Sequence, residues 1–83
     1  MTTITQEQIQ ALHDEADQAG DLLQAAICQI VLHDEPDPRT YVALSPEERY
    51  TLQRQYGKRN GWSKAAAIAE CKRVIADTAA RAD

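Results

Sequence analysis

The chain has 83 residues, a formal net charge of −4 at pH 7, 43% hydrophobic and 27% charged residues, and no phenylalanine. A length this short allows a single domain with a small, marginally stabilising core, and the apolar content excludes a disordered tail. No apolar run reaches the ~18 residues needed to span a bilayer and no basic stretch follows Met1, so the expectation is a cytoplasmic protein without leader or membrane partner.

Charge is divided along the chain. Residues 1–38 carry eight carboxylates and no lysine or arginine, while all nine basic side chains lie between Arg39 and Arg81. The abundant alanine favours helices, and the expected fold is all-α, a single domain over residues 1–83 with four helices at about 6–19, 22–33, 46–56 and 64–82 and a loop or insertion between the second and third.

In chain order, Thr5 is placed to cap the first helix, Gln8 to close a capping box, and Ile4 to staple onto Ile9. Gly20 stops it in a left-handed conformation. At about 100° per residue, Ile9, Leu12, Ala16 and Ala19 share one face, and Glu7, Asp14, Asp17 and Asp21 form an acidic stripe on the other. Asp21 then caps a second helix that runs to about His33, where Asp34-Glu35-Pro36-Asp37-Pro38 breaks it. No side chain between Asp21 and Asp34 is formally charged at neutral pH. A helix this apolar must be covered on most sides, either as the central helix or as half of a subunit interface through Leu23, Ile27 and Ile30.

Residues 34–45 read as a linker or ordered loop whose Tyr41-Val42-Ala43-Leu44 stretch packs over the core. Ser45-Pro46-Glu47-Glu48 is the strongest helix start in the chain, with serine as cap, proline in the first turn and Glu48 completing the box. That helix should stop at Gly57. A polar turn over 57–61 leads to Trp62 and Ser63, which open the last helix with Ile68, Cys71, Ile75, Ala79 and Ala82 facing inward.

Cys28 and Cys71 sit among apolar residues, the setting of reduced, buried thiols, with a disulfide between two helices as the competing reading. Together with His13 and His33 they make a formal four-ligand set, but the spacing contains no CxxC or HxxxH pair, so no metal or cofactor is expected. His13 reads as a surface residue beside the acidic stripe, and His33 as an end residue suited to a helix C-terminus. Neither belongs to a nucleophile–base–orienter arrangement, and the chain is not expected to be an enzyme.

The segment 49–73 holds seven basic residues and one acid, Glu70, interleaved with Tyr50, Tyr56 and Trp62, a composition shared with nucleic-acid-binding surfaces. A helix-turn-helix docking is conceivable, yet the last helix offers alanines where base-reading side chains should stand, and Arg73 is placed to pair with Glu70 and Asp77. Contact with nucleic acid would come from Arg54, Lys58, Arg59 and Lys64. The row of carboxylates on the first helix has its own reading: it can occupy a basic channel that normally holds nucleic acid.

The segments Ile4-Thr5-Gln6-Glu7-Gln8-Ile9-Gln10-Ala11-Leu12, Ala19-Gly20-Asp21, Ala26-Ile27-Cys28 and Glu70-Cys71-Lys72-Arg73-Val74-Ile75-Ala76-Asp77 resemble short helical proteins encoded by bacteriophages and prophages of proteobacteria. The resemblance covers both ends of the chain, and the stretch from Pro36 to Ala65 looks like an insertion. It implies a phage or mobile-element context and transfers no catalytic residues. The function expected from it is a small non-enzymatic interaction module, an anti-CRISPR-like inhibitor of a host defence machine. Its partner would be a host protein or nucleoprotein complex in the cytoplasm of the bacterial cell. The alternatives are a DNA-binding regulator using residues 49–73 and a self-assembling homodimer.

Overall fold

The computed structural model describes residues 4–81 and contains five helices and a small antiparallel hairpin: α1 (Gln6–Ala19), α2 (Leu22–His33), α3 (Pro38–Ala43), α4 (Pro46–Tyr56), β1 (Gly57–Lys58), β2 (Gly61–Trp62) and α5 (Lys64–Arg81). They pack into a globule of 36 × 25 × 19 Å.

Local chemistry sets the helix ends. The Thr5 hydroxyl accepts from the Gln8 amide at 3.1 Å and the Gln8 side chain accepts from the Thr5 amide at 2.8 Å, the reciprocal box expected from sequence. Gly20 closes α1 at φ 78°: its N–H reaches the Asp17 carbonyl at 3.2 Å, and the Asp21 N–H reaches that of Ala16 at 2.8 Å. Asp21 then turns its carboxylate to the Gln24 amide at 3.2 Å. One residue thus serves the end of α1 and the start of α2, and the short turn folds α2 back against α1.

α2 is the central helix and touches α1, α3, α4 and α5. Ala25, Ala26, Ile27, Cys28, Gln29 and Ile30 are all buried, which is why this helix tolerates no formal charge. The core gathers Ile9, Ile27 and Ile30 with Leu44, Leu52 and Tyr56, while the small residues Ala26 and Ala67 and the two cysteines let α2 and α5 approach closely.

Two elements correct the sequence reading. The segment 34–45 is not simply a loop, because Pro38–Ala43 forms α3, making five helices rather than four. Asp37 accepts from the Arg39 amide at 2.8 Å and Pro38 occupies the first turn, the same device as at Ser45-Pro46. Leu44 behind it is 2% exposed and reaches the core as expected, while Val42 stays in solvent. The residues after α4 form a hairpin rather than a plain turn, with Gly57 opposite Trp62 and Lys58 opposite Gly61. Trp62 therefore lies in β2 and meets Tyr41 edge-on, ring centroids 6.2 Å apart, and only Ser63 caps α5, accepting from the Ala66 amide at 3.3 Å.

The inward face of α5 also differs from expectation. Ala67 and Cys71 are buried, Ile68 and Ile75 are half-buried, Ala79 is exposed, and Ala82, like the expected helix end at 82, lies outside the described residues. Eighteen helical residues extend about 27 Å whereas the 12 of α2 extend about 18 Å, so the last turns of α5 outrun the helix they pack on.

Candidate interaction surfaces

Glu7, Asp14 and Asp17 on α1 and Asp21 at its end are all exposed. Asp21 already serves as a helix cap. Asp14 is the most constrained of the row, with the Gln10 side chain at 3.0 Å and His13 Nδ1 at 3.3 Å. Hydrogen bonds from His13 and then Gln10 hold its carboxyl below the usual carboxylate range. Among the described residues the lysine and arginine ion pairs are Lys64–Asp34 and Arg73–Glu70, so neither residue type pairs with a carboxylate of α1.

His13 is not the free surface residue the sequence suggested. Its side chain is 21% exposed, and Nε2 lies 3.1 Å from the Gln29 amide nitrogen. That nitrogen only donates, so Nε2 is the acceptor and Nδ1 carries the proton given to Asp14. Gln29, 7% exposed, ties three elements together. It donates to His13 on α1 and to the Thr40 hydroxyl on α3 at 3.0 Å, and accepts from the Asp37 amide at 2.7 Å. Sequence reasoning passed over Gln29. The available signal was a polar side chain one residue before Ile30 on a helix otherwise apolar nearly all round.

On the basic side, Arg54, Lys58 and Arg59 are exposed, with Lys58 and Arg59 at the turn of the hairpin. A shallow cleft beside them is lined by Gln53, Gly57, Lys58, Gly61 and Trp62. Lys64 stands apart, 3.3 Å from Asp34 at the end of α2. Arg73 turns to Glu70 through two hydrogen bonds, at 2.6 and 3.0 Å, the local pairing expected from their spacing. The hairpin between α4 and α5 replaces the three- or four-residue turn of a helix-turn-helix.

Of the apolar trio Leu23, Ile27 and Ile30, Ile27 and Ile30 are 4% and 0% exposed within the single chain and Leu23 is half-buried. The chain's own elements therefore cover Ile27 and Ile30, and Leu23 in part. Cys28 and Cys71 are free thiols, both 0% exposed, with sulfurs 3.9 Å apart. Gln24 Nε2 lies 3.6 Å from the Cys28 sulfur. Among the described residues no three histidine, cysteine or acidic side chains gather where they could hold a metal ion, and no helix is long and apolar enough to cross a membrane. Comparison with known protein families, curated proteins and solved structures found no match for this chain.

Proposed function

We propose that this chain is a stoichiometric protein-interaction module of phage type, an anti-CRISPR-like inhibitor that presents the carboxylates of α1 to a basic surface on a host defence protein or nucleoprotein complex. The observation that carries the reading is the exposed row Glu7, Asp14, Asp17 and Asp21, which has no lysine or arginine ion-pair partner among the described residues. Asp14 and Asp17 are three residues apart, a rise of about 4.5 Å along α1, and Asp21 follows at the turn into α2, giving closely spaced charge on a short stretch of chain. Long-range attraction between such a row and a basic channel speeds encounter and selects the partner by sign, and it weakens as salt rises. The mechanism is occupancy of the channel and asks no chemistry of the chain.

A second reading rests on the hairpin, which sets Lys58 and Arg59 at an exposed turn: contact with nucleic-acid phosphates. Affinity capture from a lysate of the bacterial host, with and without nuclease, separates the two. Under the inhibitor reading a protein partner persists after nuclease, and replacing Asp14, Asp17 and Asp21 by Asn abolishes its capture while leaving the fold intact. Under the second reading nuclease removes every partner, and Lys58→Ala with Arg59→Ala flattens the salt dependence. Unchanged capture by the triple Asn variant would sink the proposal for α1.

A further inference from the structure

The two buried thiols are placed for chemistry that the acidic face does not use. Cys28 on α2 and Cys71 on α5 are 43 residues apart in sequence, and their sulfurs lie 3.9 Å apart with no exposure to solvent. A disulfide bond of about 2.05 Å requires the sulfurs to close by roughly 1.9 Å, within reach of side-chain rotation and a small shift of one helix on the other. Gln24, whose amide lies 3.6 Å from the Cys28 sulfur, is half-buried and lines a surface cleft with Leu12, Ala16, Asp21 and Arg73, so a path inward from that cleft past Gln24 meets Cys28.

We propose that Cys28 and Cys71 form a reversible redox site, in which a small hydroperoxide entering past Gln24 oxidises Cys28 and Cys71 closes an intramolecular disulfide between α2 and α5. The Cys28 sulfur attacks one oxygen of hydrogen peroxide, the O–O bond breaks, and the departing oxygen leaves as water, giving a sulfenic acid. The Cys71 sulfur then attacks the Cys28 sulfur, an S–S bond forms, the S–O bond breaks, and the departing hydroxide takes the Cys71 proton as a second water. Two thiols lose two electrons in all and the peroxide gains them. The order of events follows from the route by Gln24, with which the ionisation of the pair agrees. The hydrogen bond with Cys71 lowers the Cys28 thiol, whereas the bond with Cys28, together with burial, pushes the Cys71 thiol up. Cys28, the thiol that Gln24 links to the cleft, is therefore oxidised first and Cys71 resolves it. Burial of both sulfurs favours a small oxidant over a bulky disulfide.

The bond would enclose α3, α4 and the hairpin in one covalent loop, tying down the segment that carries Arg54, Lys58 and Arg59. The test uses the whole chain, reduced and then exposed to stoichiometric hydrogen peroxide, quenched with a thiol alkylator under denaturing conditions and digested without reductant for mass spectrometry. The expected result is a peptide pair linking Cys28 to Cys71, no alkylated thiol, and a Tm higher by ~10 °C or more that dithiothreitol reverses. Cys71→Ala, which keeps the site small and apolar, should instead accumulate a sulfenic acid at Cys28 that a dione probe captures. Two fully alkylated cysteines after peroxide, over-oxidation without a linked pair, or a link between two chains would each overturn the proposal.

Discussion

Gln29 shows how much a single buried polar group decides in a chain this small. Its amide joins α1, α2 and α3 through His13, Thr40 and the Asp37 backbone, and each polar atom it brings inside is satisfied. Gln29→Ala leaves the partly buried Asp37 N–H and His13 Nε2 to find water, at an expected cost of about 1–3 kcal/mol. Thermal unfolding should show a clear fall in Tm, and the imidazole of His13, read by nitrogen NMR, should change from one tautomer to a mixture of two. An unchanged His13 spectrum would remove the hub from the account. None of this was legible beforehand. A sequence shows that a polar residue lies on an apolar helix, but positions 13, 37 and 40 become its partners only once the crossing of three helices is fixed.

At the scale of elements, capping chemistry made four of the five helices readable. Thr5, Asp21, Ser45 and Ser63 each accept the backbone N–H that their position predicts. α3 carries the same signal in Asp37-Pro38, but its six residues contain no buried side chain and no apolar period, so the acidic, proline-rich surroundings made it read as a loop. Gly57 was correctly placed as a stop. Its backbone is extended at φ −78°, not left-handed, and what demands glycine is the close approach of the Gln53 carbonyl, which a β-carbon would overlap. Gly57→Ala should therefore cost about 1–3 kcal/mol as α4 and the hairpin move apart. At Gly20 nothing approaches the missing side chain, and alanine would meet only the left-handed backbone penalty of about 1–2 kcal/mol. Chemical denaturation of the two variants checks the first cost. The hairpin spectrum of Gly57→Ala checks the cause, since its Ser63 amide, now 2.6 Å from the Tyr56 carbonyl, should exchange faster.

At the scale of the molecule, the charge division visible in the sequence persists in three dimensions because the fold does little to cancel it. Lys64–Asp34 is the one ion pair among those described that joins a lysine or arginine to the acidic half, and both of its side chains are more than half exposed. A pair like this contributes at most about 1 kcal/mol. The apolar helix α2, which touches α1, α3, α4 and α5, was the least decidable part of the sequence. Its composition required a cover without saying whether the cover came from the same chain or from a second copy. With Ile30 at 0% exposure inside one chain, Ile30→Asp places a carboxylate where α2 packs against its own neighbours. Burying an unpaired charge costs several kcal/mol, comparable with the ~5–15 kcal/mol that holds a small domain together. The variant should lose its helical circular dichroism at room temperature. A folded variant of half the wild-type mass by light scattering would instead mean that a second copy supplies the cover.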